Sequence, residues 1–383
     1  MLDQIPDREL RTHLGALHWV GWCEHHLERY GDVLRHYEHG LVLGRSTGQR
    51  HLLIPMLLGF VITHTWMGDL AAASDEARAA AETAQLVGSE QLIALTLALR
   101  CWLAVRIGDV PPAIATAAAY LAKSPQSEGP HALLTRAWLG EAQIESGAPA
   151  AGRRLVMAAG GGPELGAIEP SQRAYFCELL TRAELALGAR QEAQRWARLA
   201  EESAAALGLC GPRTWARRAQ AQLAIAGGDF DAGAELALAS VAAAGTTHPL
   251  ERQRSRLLAG TALAAAGNDS ALDVLGEAHA CLRQFGAHRL EALAARQLRA
   301  LGRYVGQPRR HGESENELAI LSARELEVAT LVAEHLTNRE IAEQLILSPK
   351  TIERHMEHIF NKLGLSSRGA VARYMLSAPQ HTR

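Results

Sequence analysis

The chain has 383 residues, 48% apolar and 21% charged, which suits two or three globular domains and excludes a disordered or fibrous protein. Its formal charge is −2, so the chain as a whole does not announce a nucleic-acid partner, and its longest apolar run, Leu52 to Ile62, is too short to span a bilayer. Alanine is abundant while β-branched and aromatic residues are sparse, which favours helix throughout. The start of the chain, Met1-Leu2-Asp3-Gln4, carries no basic or apolar leader pattern, so a cytoplasmic protein is expected. Cys23, Cys101, Cys177, Cys210 and Cys281 form no Cys-x-x-Cys pair, which points to buried thiols and not to disulfides or zinc.

From the N-terminus, a glycine with a small or acidic follower recurs: Gly31-Asp32, Gly68-Asp69, Gly108-Asp109, Gly147-Ala148, Gly188-Ala189, Gly228-Asp229 and Gly267-Asn268. The intervals run from 37 to 41 residues, and a fixed period of that size marks stacked repeats. Helical pattern flanks each glycine: Gln91 to Ile107 in the third unit, Gln172 to Leu187 and Gln191 to Leu207 in the fifth. The glycine is expected to end the first helix in a left-handed turn, and Asp or Asn to cap the second. Further breaks fall at Gly88, Ser124-Pro125, Gly160-Gly161-Gly162, Gly208, Gly245 and Gly286. The expectation is seven helix pairs and a final helix, His288 to Leu301. In period and in their small residues at helix crossings, the units resemble tetratricopeptide-type repeats. That resemblance implies an α-solenoid with a concave inner surface.

Trp19, Trp22, Trp66, Trp102, Trp138 and Trp215 all fall in first helices. They would either stack on a ligand or pack between repeats. Eight histidines lie in the first 64 residues, with His36 and His39 three apart on one helix. A solvated helix face explains them better than a metal site, because no third ligand is placed by spacing. The only lysines are Lys123, Lys350 and Lys362, and none follows a glycine loop, so the chain has no P-loop and no ATP switch is expected. No nucleophile elbow, metalloprotease helix or dinucleotide turn is present, so the chain does not read as an enzyme, and no cofactor is expected.

Gly302 to Glu317 reads as a polar linker, dividing a repeat domain, 1–301, from a compact segment, 318–383. Ser322-Ala323-Arg324-Glu325 is a capping box that opens a helix to about Glu334. Thr337-Asn338-Arg339-Glu340 is a second, opening a short helix to about Leu345. Ser348 then caps a third helix that starts at Pro349 and stops at Gly364. A fourth is expected from Arg368 to Ser377. Two helices joined by a three-residue turn form a helix-turn-helix. In the third helix Ile352, Met356, Ile359 and Leu363 make the core stripe. The opposite face carries Lys350, Arg354, Glu357, His358 and Asn361, flanked by Thr351 and Glu353. Lys350 and Arg354 suit phosphate or guanine, and Asn361 suits phosphate.

This segment closely resembles the LuxR-type DNA-binding domain. The resemblance runs through Leu321-Ser322, Arg324-Glu325, Glu327-Val328, Leu331-Val332-Ala333, Leu336-Thr337-Asn338 and Glu340-Ile341-Ala342. It continues through Leu345, Ser348, Lys350-Thr351-Ile352, His355, Ile359, Lys362-Leu363-Gly364-Leu365 and Arg368. It implies a DNA-facing set of Thr337, Asn338, Ser348, Lys350, Thr351, Glu353, Arg354, Glu357, His358, Asn361, Lys362 and Arg368. His335 departs from the small residue usual before Leu336. Glu353 and Glu357 stand where the family more often has basic or neutral groups. Residues 318–383 hold eight Lys/Arg against seven Glu, which implies weak non-specific affinity. The two carboxylates would either accept from cytosine N4 or pair with Lys350 and Arg354.

Helical repeats followed by such a domain resemble the C-terminal part of the large ATP-binding LuxR regulators, whose ATPase module this sequence lacks. The fold class expected is all-α: a tetratricopeptide-like solenoid followed by a four-helix LuxR-type domain. The function expected is a bacterial transcription regulator that binds double-stranded DNA as a homodimer, with a solenoid that senses a protein or small-molecule effector. The alternative is a repeat-protein adaptor whose helix-turn-helix no longer binds DNA usefully.

Overall fold

The computed structural model describes residues 4–108, 114–115, 118, 130–303, 321–334, 336–345, 347–363, 368, 371–372 and 375. Among them there is no strand, and no helix is long and apolar enough to cross a membrane. The chain forms two compact units, Met1–Ala294 and Ala295–Arg383. The expected linker falls mostly outside the described residues.

The first unit is an array of antiparallel helix pairs. Asp7–Leu10 precedes Leu14–His26 with Tyr30–Thr47, then Arg50–Trp66 with Leu70–Val87. Glu90–Ile107 opens the third pair; of the expected second helix only Ile114, Ala115 and Ala118 are described, and they are helical, while the Ser124-Pro125 break lies outside the described residues. Pro130–Glu145 with Pro149–Ala159, Pro170–Ala186 with Arg190–Leu207, Cys210–Ala226 with Phe230–Ala244 and Pro249–Ala265 with Ala271–Gln284 follow. His288–Ala300 closes the series, and the boundary between the two units falls within it.

The turns follow the glycine period. Gly68, Gly108, Gly147, Gly188, Gly228 and Gly267 all hold positive φ, between 73° and 120°. Asp69 and Asp229 then accept from the third residue on, Ala72 N at 3.0 Å and Ala232 N at 3.1 Å. The first unit departs from the expectation. Gly31 lies inside the helix Tyr30–Thr47, and the left-handed position is taken by Glu28, at φ 59°.

The inner face of the array is filled by its own side chains. Trp66 packs within 5.5 Å of Trp102, Tyr175 and Trp215, and 5.8 Å from the His248 ring, so helices from several repeats meet at one place. Trp102 in turn meets Trp138 at 5.8 Å. Of the six tryptophans assigned to first helices, these four are buried and Trp22 is half-buried, whereas Trp19 is 64% exposed.

Charge accompanies the aromatics. Arg106 lies 3.8 Å over the Trp102 ring, pairs with Glu141 at 3.1 Å and donates to Tyr175 Oη at 2.6 Å. Arg218 bridges Glu178 at 3.1 Å and Glu251 at 2.5 Å, and Trp215 Nε1 donates to Glu251 at 3.1 Å. Arg254 joins Glu251 to Glu145, which Arg182 also holds at 2.8 Å. Burial alone would raise the Glu251 and Glu145 carboxyls, but the surrounding guanidiniums outweigh it and hold both well below the carboxylate range. Glu251 and Glu145 therefore stay ionised.

The histidine-rich start is internal only in part: His25 and His36 are buried, His18, His26, His39 and His64 are half-buried, and His13 is exposed. His36 Nδ1 lies 2.7 Å from Glu24, and His39 Nε2 lies 2.9 Å from Asp7. Among the described residues no group of three potential metal ligands gathers. Burial, with His26 and His248 nearby, pushes His25 down to about 3, so it is neutral. Burial pushes the Cys101 and Cys177 thiols up to about 12.

Candidate nucleic-acid interface

Within the second unit three helices, Ala323–Ala333, Asn338–Gln344 and Pro349–Leu363, surround a separate apolar core. Val328, Val332, Ile341, Ile352 and Ile359 are almost fully buried in it, with Leu321, Met356, Val371 and Ala372. Arg368, Val371, Ala372 and Met375 are helical, and the rest of the expected fourth helix lies outside the described residues.

Side-chain caps fix the entry to each helix. Ser322 Oγ accepts from Glu325 N at 3.3 Å while Glu325 Oε2 accepts from Ser322 N at 2.7 Å. Thr337 and Glu340 repeat this box, Thr337 N donating to Glu340 Oε2 at 2.6 Å. Ser348 Oγ accepts from Thr351 N at 3.1 Å. The second and third helices are thus started independently, with only residues 345–348 between them. Arg324 donates to Leu345 O at 2.7 Å and ties the end of the second helix to the first.

This frame sets the third helix with Ile352, Met356 and Ile359 inward. Lys350, Glu353, Arg354, Glu357 and His358 are exposed on the other side, and Thr351 is half-buried at its edge. The side chain of Asn361 is outside the described set. Among the described residues, no ion pair joins Lys350 or Arg354 to Glu353 or Glu357, so both signs of charge face outward unneutralised.

The remaining sequence-derived site residues are also engaged within the domain. Lys362 Nζ lies 2.5 Å from Glu325 Oε2, and His358 Nδ1 lies 3.8 Å from Glu325 Oε1. Burial would raise the Glu325 carboxyl, yet Lys362 and the Ser322 hydrogen bonds bring it down to about 2. Arg368 donates to Asn338 Oδ1 at 2.7 Å and to the Leu336 carbonyl. Thr337, Asn338 and Ser348 thus cap or brace the helix-turn-helix, while Lys350, Glu353, Arg354, Glu357 and His358 form its open face. Sequence reasoning assigned Glu325 only a capping role. Its pairing with Lys362 bridges 37 residues and leaves no local signal.

Residues 319–375 match the family model of bacterial regulatory proteins, luxR family. The chain therefore carries a LuxR-family helix-turn-helix domain. The same segment is similar to the oxygen regulatory protein NreC of Staphylococcus aureus, 51% identical over 57 residues in strains JH9, JH1 and Mu3. That match covers 15% of this chain and spans only 26% of the length of those curated relatives.

Proposed function

We propose that this protein is a sequence-specific DNA-binding transcription regulator of bacteria. The repeat array, 1–301, acts as its sensor or protein-interaction domain, and the segment 318–383, joined to it by 302–317, is its DNA reader. The observation that carries this reading is the open face of the helix Pro349–Leu363, where charged side chains project from a capped and braced helix-turn-helix. A helix presented in this way enters the major groove with its N-terminal residues at the base edges. Lys350 and Arg354 engage phosphate or guanine, and Glu353 and Glu357 accept from cytosine N4. Thr337, Asn338 and Ser348 at the helix starts, with His358, Asn361, Lys362 and Arg368, complete the surface toward the backbone. Two copies read half-sites about one helical turn apart. The NreC match supports the regulatory role. The protein works in the cytoplasm, as a binder and not as an enzyme, without ATP.

The test is binding of the full chain to DNA upstream of its own gene at two salt concentrations, beside Arg354→Ala. Specific binding that weakens with salt and with the substitution is expected. Silence of both proteins at low salt would leave the adaptor reading in its place.

A further inference from the structure

The first repeat breaks the rule of the other turns. Six turns place glycine in the left-handed position, where it carries no steric penalty. The equivalent place in the first repeat, two residues before the helix Tyr30–Thr47, holds Glu28 at φ 59°. A side chain there is strained, and such strain persists only where surrounding contacts over-determine it. Glycine would make this turn more easily, so the carboxylate needs an explanation of its own.

Its contacts supply one. Glu28 Oε2 accepts from Cys210 N at 2.8 Å and Oε1 accepts from Gly211 N at 2.7 Å, across 182 and 183 residues of sequence. These two N–H groups open the helix Cys210–Ala226 and have no carbonyl partner within it. The positive end of the helix dipole adds to the attraction for an anion. His248 Nε2 stands 3.0 Å from Glu28 Oε1 and 3.4 Å from Tyr30 Oη. His248 is fully buried, and its Nδ1 finds no partner among the described residues, so loss of Glu28 would leave the ring only the tyrosine. The seat is also shaped for close approach. A Cβ on Gly211 would lie 2.7 Å from Glu28 Oε1 and 2.9 Å from His248 Nε2, closer than real Cβ atoms come.

We propose that Glu28 is a latch that closes the repeat array on itself, holding the first repeat against the sixth and seventh, and that its release is the conformational switch of this domain. The proposal does not depend on DNA binding. With the carboxylate released, the first repeat keeps the contacts of Tyr30 with His248 at 3.4 Å and of His26 with Ser171 at 2.5 Å as polar ties to the repeats beyond the second, while Trp66, in the second repeat, keeps its packing on Trp215 and Tyr175. The array then has two states that differ at one seam, which is what a signal needs in order to bias it.

Amide hydrogen exchange on the full chain tests this with two variants, one on each side of the seam. Glu28→Gly removes the carboxylate and installs the residue the other turns use, so local folding is favoured. Gly211→Ala leaves the carboxylate in place and wedges the seat. Both are expected to lower protection of the first turn of Cys210–Ala226 about tenfold or more, because two helix-end donors lose their acceptor. Exogenous acetate should restore part of it in Glu28→Gly only. Unchanged protection in both variants would overturn the latch. A loss spread evenly over every helix would overturn it too, since that marks general destabilisation and not release of one seam.

Discussion

The two units of this chain use charge in opposite ways. In the repeat array Arg106, Arg218, Glu141, Glu178 and Glu251 are withdrawn from water and paired side chain to side chain around a cluster of tryptophans. Among the described residues of the C-terminal unit the core is apolar apart from Glu325, and Lys350, Glu353, Arg354 and Glu357 are left in solvent. Buried ion pairs tolerate little change, because removing one partner leaves the other's charge undercompensated in the interior. Exposed charges add little to stability and are free to meet a partner. The difference teaches where charge makes each unit fragile: in the interior of the array, and in the reader at the caps.

That contrast can be broken most strongly at Arg218. Arg218→Ala leaves Glu178 to Arg182 and Gln222 and Glu251 to Arg254 and Trp215, so it should cost the array about 3 kcal/mol, the low end for breaking a buried pair, read as a drop in the denaturant midpoint of its unfolding transition. A second transition, belonging to the reader, should not move. If it moved equally, the two units would not be energetically separate.

Acid sharpens the same contrast. His25 has a folded value of about 3 against 6.5 for the free group. The unfolded chain therefore binds more protons between those values, and array stability is complete above pH 6.5 and falls as pH drops below it. The slope is about 1.4 kcal/mol per pH unit for this one group, or about 2 kcal/mol by pH 5. Burial lowers His18 and His26 as well, which adds in the same direction. Glu325 behaves differently: its carboxyl is lowered from 4.5 to about 2, so its contribution is present above pH 4.5 and is lost only as pH falls toward 2. Thermal scans from pH 7 to 5 should shift the array and leave the reader in place.

Two smaller effects concern the reader. Arg354→Ala should weaken specific DNA binding by about 1–3 kcal/mol without changing the melting temperature, as titration with a cognate duplex would show. Ser322→Ala removes one half of a capping box and should cost about 1 kcal/mol of reader stability, seen as a lower midpoint with an unchanged slope.

Much of this architecture is legible in the order of residues, for local reasons. The turn glycines announce the helix pairs, and the Ile352, Met356, Ile359 spacing announces which side of the third helix faces out. What is not legible depends on partners far apart. Nothing near Glu28 marks it as the turn residue in place of Gly31, because its reason lies at Cys210, Gly211 and His248. Lys362 and Arg368 read as DNA-facing cations, yet each also holds a group 37 or 30 residues away inside the domain. The inner tryptophans left two readings open until the fold brought Trp66 within 5.5 Å of Trp102 in the next repeat and of Trp215 four repeats on.

The seam also bears on how the array comes into being. A stack of repeats that touch only their neighbours gains order one unit at a time and frays from its ends. Here Tyr30 and Glu28 meet His248 across 218 and 220 residues, so the final contacts wait until nearly the whole array has been assembled. Loop-closure entropy sets the pace of that step. The array should therefore fold late and as one cooperative block, and shortening it by a single terminal repeat should loosen the opposite end of the sequence.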